Sequence, residues 1–398
     1  MISVDEAVAR VTAAFAPLEA EAVPLGKAAG RVLAEDARAR LDQPPYPVSA
    51  MDGYAVRASD VASVPAELRV VGASPAGHPF AGRVGTGEAV RIFTGGVLPD
   101  GADAIVIQED AVRDGDTVTL KERAVAGKHI RKAGLDFVRD ATLVPAGRRL
   151  RARDLALLAA GDIAEVRVWR RPRVFFAATG DELSPPGTPR KPGGIVASSG
   201  YGLSAMIEAW GGEAHDLGIL PDTSEAVAAL PGRAARADLI VTMGGASVGD
   251  HDLVQSALAP KGFVLDFWKI AMRPGKPLIF GHLGRTPFLG LPGNPVSSLV
   301  CSILFLKPAL AAMLGETSRS TLRAVRLERD LPANDSRQDY LRARLVMRDG
   351  EAWVEPFAVQ DSSMQNAFAS ADCLIVRTPL APAVRTGEKV DVLPLDDV

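Results

Sequence analysis

Between residues 174 and 315 the chain repeats one pattern three times: a short apolar run, a polar or glycine-bearing loop, then a helical stretch. In the clearest copy, Leu239, Ile240, Val241 and Thr242 read as a buried parallel strand. Gly244, Gly245 and Gly249 follow, and glycine lets the chain turn sharply and present bare N–H groups to a ligand. Ser247 adds a hydroxyl, Asp250 and Asp252 place carboxylates at the loop's far edge, and 253–258 begins a helix. In the second copy, strand 288–291 runs into Pro292-Gly293-Asn294-Pro295 and an apolar helix over 296–314. Asn294 suits the N-cap and Pro295 the first helical position, so the free N–H groups there, with Ser297 and Ser298, can hold an oxyanion. The third strand, 174–178, ends in Thr179-Gly180-Asp181-Glu182. One such loop is often a plain strand–helix connection. Three of them imply an open α/β sheet whose strand ends gather at one ligand-binding edge.

Further strands are expected over 216–220 and 264–268, and helices over 201–210 and 224–230. Right-handed crossovers then give a doubly wound, three-layer α/β/α domain, with Asp222 at the same edge. Between the two glycine loops, Phe267-Trp268-Lys269-Ile270-Ala271-Met272-Arg273-Pro274-Gly275-Lys276-Pro277 delivers Lys269, Arg273 and Lys276 around a stiff Pro-Gly turn. Pre-placed cations beside helix starts suit a phosphate or another tetrahedral oxyanion. Asp52, Glu182, Asp222, Asp250 and Asp252 would repel that anion unless a divalent metal intervened, and oxygen ligands favour magnesium.

The flanks differ. Residues 1–40 read as helical, starting at a capped Ser3-Val4-Asp5-Glu6 and ending near Gly26 and Gly30. Pro44, Pro45 and Pro47 stiffen a domain junction. Asp52-Gly53 is either a hairpin turn or a carboxylate on a rigid loop. Short strands at 69–72, 89–93, 104–108 and 117–120 make a β-rich domain, with polar loops at Thr94-Gly95-Gly96 and Arg131-Lys132-Ala133-Gly134-Leu135-Asp136. The arginine-rich stretch 148–173 reads as a solvated connection, because Leu155, Leu157 and Leu158 make an amphipathic helix with little aromatic interleaving. Over 340–347, Leu341, Ala343 and Leu345 alternate with Arg342, Arg344 and Val346 before an Asp349-Gly350 turn, so a C-terminal β-barrel is expected. The expected parts are 1–42 with 143–170 as an elongated N-terminal dimerisation domain, 43–142 as an inserted β-rich domain, 171–315 and 316–398.

A net charge of −3 gives no bulk drive towards nucleic acid or an anionic membrane. Cys301 and Cys373 form no Cys-x-x-Cys pair and fit a reducing cytoplasm, and the scattered histidines offer no zinc site. The 296–314 run contains Ser297, Ser298, Ser302, Lys307 and Pro308, so it reads as a core helix rather than a membrane span, and no leader pattern opens the chain.

Seven stretches in order carry a family resemblance: Ser49-Ala50-Met51-Asp52-Gly53-Tyr54-Ala55, Thr94-Gly95, Ala133-Gly134-Leu135-Asp136, Thr179-Gly180-Asp181-Glu182-Leu183, Gly244-Gly245-Ala246-Ser247-Val248-Gly249-Asp250, Arg273-Pro274-Gly275-Lys276-Pro277 and Leu291-Pro292-Gly293-Asn294-Pro295-Val296-Ser297. Through them the chain resembles the MoeA-type molybdopterin molybdenumtransferases, also found as the E domain of gephyrin-like proteins. The resemblance implies a homodimeric enzyme that takes adenylylated molybdopterin and molybdate, inserts molybdenum at the dithiolene and releases AMP with Mg2+. It also implies a molybdopterin adenylyltransferase and other cofactor-pathway proteins as partners. Asp52, Thr94, Asp136, Glu182 and Lys269 would line the reaction centre. The pterin nucleotide would be held by Asp222, Ser247, Asp252 and the Pro292 to Ser297 loop, with Thr179, Gly180, Gly244, Gly245 and Asp250 beside it. Molybdate would meet Arg273, Lys276, Ser297, Arg342 and Ser362, and metal would meet Glu182 and Asp222. The chain departs from the family at Arg273, where lysine is usual, and at Ala197-Ser198-Ser199, where Asp-Ser-Asn is usual. Alternatives are a non-catalytic cofactor-binding scaffold of the same family and a nucleotide pyrophosphatase.

Overall fold

The computed structural model describes residues 1–245, 253–316 and 322–395. The chain divides into two compact units, one comprising Met1–Glu21, Gly30–Ala34 and Val168–Val398, the other Ala22–Ala29 and Glu35–Arg167.

The larger unit contains the expected α/β sheet. Its strand order is Glu213–Leu220, Arg173–Thr179, Leu239–Met243, Thr286–Leu291, Ile279–Leu283, Phe263–Trp268. The first four are parallel and the last two pair antiparallel. Alternate residues feed opposite faces, as a strand's two-residue period requires. Val174, Phe176, Leu239, Val241 and Met243 pack with the helices Val4–Ala13, Ser199–Ala209 and Pro295–Cys301. Ala177 and Ile240 pack on the other face with Val227, Leu230, Val254 and Leu258. The layering is therefore three-deep.

Strand Ile279–Leu283 escapes the sequence reading, because Pro277, Gly281 and His282 interrupt its apolar pattern. It has a geometric consequence. Met243 and Leu291 leave the sheet side by side, Ile279 enters opposite Gly290, and Trp268 leaves opposite Ile279. The connection carrying Lys269, Arg273 and Lys276 therefore runs along the edge where the parallel strands end.

The C-terminal barrel is present. Strands Gln338–Arg348, Glu351–Pro356, Arg323–Leu327, Lys389–Pro394 and Cys373–Arg377 form a ring that closes back on Gln338–Arg348. Asp349 and Gly350 both have positive φ and make the expected turn. Met272–Arg273 leaves the α/β domain to pair with Gln338 and Asp339 of this barrel.

The smaller unit holds a six-stranded sheet in the order Ala104–Ile107, Gly53–Val56, Glu88–Ile92, Ala66–Ser74, Thr117–Leu120, Ala111–Asp114. Val48–Ser49 pairs with Ile130–Arg131, and Ala37–Arg38 with Thr142–Val144.

Several local expectations are corrected. The N-terminal helix spans only Val4–Ala13, capped by the Ser3 hydroxyl, and Ala20–Pro24 is a strand, because Pro17 and Pro24 disfavour continued helix. Asp52-Gly53 is not a hairpin turn: Gly53 begins a central strand so close to its neighbour that a side chain would strike the Val106 carbonyl. The arginines of 148–173 are not simply solvated, since Arg148 pairs with Asp154, and Arg170 and Arg173 with Asp238. The 224–230 helix is split into Ser224–Ala228 and Leu230–Arg233. The 296–314 helix carries a wide π turn over Ser302–Leu306. As a whole, Pro295–Met313 is long and apolar enough to cross a membrane but is 78% buried, as a core helix is.

Candidate functional site

The strand-end edge of the α/β sheet is built from backbone. A Cβ at Gly244 would lie 2.7 Å from the Thr179 carbonyl oxygen and 2.8 Å from its hydroxyl, and Gly244 has φ +98°. Only glycine fits there. A Cβ at Gly245 would stand 3.2 Å from the same Thr179 hydroxyl, and one at Gly293 would stand 3.5 Å from the Gly244 Cα. The Gly244 N–H donates to the Leu291 carbonyl at 3.1 Å and the Gly180 N–H to that of Leu220 at 3.2 Å. Thr179, Gly180, Gly244, Gly245 and the Pro292-Gly293 turn thus meet at one place. Ser247, Asp250 and Asp252 lie outside the described residues.

Polar capacity is left open here. The Thr179 hydroxyl is buried without a hydrogen-bond partner among the described residues, as are those of Thr242 and Ser298. A buried unmatched donor costs stability and is retained where something else completes it. Asp181 and Asp222 each accept the other's backbone N–H at 3.3 Å, which fixes both carboxylates beside Gly180. The Glu182 carboxylate folds back over Gly180, with Oε2 2.6 Å from where a Cβ at 180 would stand. Among the described residues no group of three or more His, Cys, Asp or Glu could hold a metal. Magnesium often needs only one or two carboxylates when substrate phosphates and water supply the rest, so Glu182 and Asp222 are compatible with that mode.

The second helix start joins the α/β domain to the barrel side. Asn294 stands at the N-cap, but its side chain makes no capping bond; its Nδ2 donates to the Ser362 hydroxyl at 2.9 Å. The Val296 N–H donates to the Ser362 carbonyl at 3.2 Å. Pro295 occupies the first turn and Ser297 is buried beside it. Ser198, in the departing Ala197-Ser198-Ser199 stretch, accepts a hydrogen bond from Gln365 Nε2. Nothing in the sequence spacing links 198 to 365.

Of the three cations, Lys276 is exposed and Lys269 sits with Nζ 3.7 Å from the centre of the Trp268 ring. Arg273 is already paired: Nε donates to Asp339 Oδ1 at 3.0 Å, Nη2 bonds the other oxygen, and Asp335 lies 3.7 Å from Nη1. Arg342 departs most from expectation. The alternation placed it on the face opposite Leu341 and Ala343, yet it is 1% exposed while Leu345 is 37% exposed. Burial pushes its guanidinium below the usual arginine range, and the Asp361 charge opposes this. Its Nη2 donates to the Asp361 carbonyl at 3.1 Å, Gln360 brackets its backbone, and its Nε has no partner among the described residues.

In the smaller unit Asp52 is a carboxylate on a rigid loop. Its Oδ1 accepts the Thr94 N–H at 2.7 Å and the Thr94 hydroxyl at 2.8 Å. These two bonds, the backbone one first, hold its carboxyl below the usual range, so it is ionised at neutral pH. Asp136 is on a separate exposed loop, its N–H bonded to the Gln43 carbonyl at 2.9 Å.

Comparison with known proteins covers the same ground. Residues 2–161 match the family model for the MoeA N-terminal region (domain I and II), 176–312 a probable molybdopterin binding domain, and 324–395 the MoeA C-terminal region (domain IV). The molybdopterin molybdenumtransferase of Haemophilus influenzae is 35% identical over 96% of this chain and 95% of its own. That of Bacillus subtilis is 33% identical over 98% and 94%. A crystal structure of the molybdopterin biosynthesis MoeA protein from Pyrococcus horikoshii OT3 superposes with a TM-score of 0.85 at 29% identity, covering 99% of this chain and 100% of that one. With relatives this similar aligned along nearly its whole length, the chain belongs to the MoeA family of molybdopterin molybdenumtransferases.

Proposed function

We propose that the chain inserts molybdenum from molybdate into adenylylated molybdopterin and releases AMP. The observation that carries this reading is the convergence of Thr179, Gly244, Gly245 and Gly293 at one strand-end rim with an unmatched buried hydroxyl. Backbone free of side chains and a helix start there suit the nucleotide's phosphates. Lys269 and Lys276 offset oxyanion charge, Arg342, Ser297 and Ser362 receive molybdate, and Arg273 serves mainly through its pair with Asp339. Glu182 and Asp222 would hold Mg2+, which would polarise the phosphoanhydride. Asp52 and Thr94, with Asp136, act as the reaction-centre groups of the smaller unit. The reading includes a cytoplasmic homodimer that receives its substrate from a molybdopterin adenylyltransferase.

The test is molybdate-dependent AMP release from adenylylated molybdopterin in magnesium buffer. Asp52→Ala and Glu182→Ala should each lower it by about a hundredfold or more with little change in thermal unfolding. Loss of folding in both variants would make these residues structural. The second reading is a non-catalytic cofactor-binding scaffold, favoured by the Ser198 hydroxyl being spent on Gln365. Tight molybdopterin binding without AMP release would establish it.

A further inference from the structure

At the barrel domain lies a cavity of about 550 Å³ that shares only Arg273 and Asp339 with the site proposed above. Its size is in the range of small-ligand sites. Three guanidinium groups, Arg273, Arg329 and Arg377, face it against one carboxylate, Asp339, and Asp339 is already bonded to Arg273 through both oxygens. Asp335, 3.7 Å from Arg273 Nη1, lies outside the lining, so the wall itself carries more positive than negative charge. Arg377 is 5% exposed and has no carboxylate within ion-pair distance among the described residues. Its Nη2 is spent on the Pro332, Ala381 and Pro382 carbonyls, and the charge that opposes its burial is that of Asp339, which Arg273 already binds. A buried guanidinium held this way is costly unless an anion completes it. The remaining wall is apolar, with Leu331, Pro332, Leu341, Pro356 and Phe357. Asn334 Nδ2 ties three backbone carbonyls together and Gln360 Nε2 ties those of Arg342 and Phe357, so the walls are built before any ligand arrives.

We propose that this cavity binds a phosphate monoester carried on a flat apolar body, and, resting on the molybdenum-transfer reading, that its ligand is the released AMP. A phosphate monoester is close to a dianion at neutral pH and matches the surplus charge. A purine would lie against Phe357 and the prolines.

The experiment irradiates the full chain with 8-azido-AMP and maps the labelled peptides. Label within 329–341 or 356–360, displaced by AMP and displaced poorly by inorganic phosphate, is expected. Arg329→Ala, at an exposed position that need not disturb folding, should weaken AMP protection about tenfold. Label confined to 176–182 or 290–298, no label, equal protection by phosphate, or an unaffected Arg329→Ala variant would each overturn the site. Molybdate-dependent AMP release is read separately: turnover with an unlabelled cavity rejects the site alone, and a labelled cavity without turnover rejects the transferase reading alone.

Discussion

The two edges of the α/β sheet are made of the same strands and treat polar groups in opposite ways. At the edge where the parallel strands begin, one carboxylate gathers several donors. Asp238, just ahead of Leu239–Met243, accepts bonds from Arg170 at 2.6 and 2.8 Å and from the Arg173 N–H at 2.8 Å, and Arg170 also reaches Glu19. At the edge where they end, the Thr179, Thr242 and Ser298 hydroxyls lack partners among the described residues, and glycine keeps side chains away. A sheet stabilised at its entry edge can leave its exit edge incomplete, and incompleteness is what a ligand site requires.

The sharpest way to break this contrast is Asp238→Ala. It leaves two half-buried guanidinium groups without this carboxylate, Arg170 retaining only that of Glu19, and a loss of about 3 kcal/mol in urea unfolding is expected, at the low end for a buried pair. AMP release per folded molecule should stay unchanged; if it collapses, the two edges are not separable. The same carboxylate gives a pH signature. Burial pushes it up and the arginine bonds more than reverse this, leaving it at about 2 against an ordinary 3.8. A depressed carboxylate contributes stability above its unfolded value, lost as pH falls through its folded one. Unfolding followed between pH 4 and 2 should therefore slope downward in the wild type and flatten in Asp238→Asn.

Gly244→Ala comes next. Its methyl group meets the Thr179 carbonyl and a left-handed backbone, so about 1–3 kcal/mol of stability and about a hundredfold in turnover should go. The smallest stability effect is expected at Thr179→Val. Removing a hydroxyl that bonds nothing among the described residues should leave stability within about 0.5 kcal/mol, while KM for the pterin substrate rises several-fold. An unchanged KM would mean that the open hydroxyl is a packing accident.

Most of the sheet could be read in advance because buried parallel strands must be apolar and their exit loops must be small or polar. Leu239–Met243 and Thr286–Leu291 carry both signs. Ile279–Leu283 carries neither, since Gly281 is demanded by the close Val264 carbonyl and Phe263 ring rather than by any turn. Arg342 was placed by two-residue alternation, a rule that ranks charged residues outward; its burial depends on Asp361 and Gln360, which local pattern cannot associate with it. The Asn294–Ser362 and Ser198–Gln365 bonds were illegible for the same reason. The glycine motifs named the rim, and the long-range partners decide how its cations are spent.

The antiparallel strand has a practical corollary. Since Ile279 starts at the rim, the exposed Gly284-Arg285 turn lies roughly 17 Å away at the opposite end of a five-residue strand. A fluorophore or surface tether attached there would report on, or immobilise, the protein while leaving the reacting face clear. Lengthening 269–278 instead would displace the cations themselves.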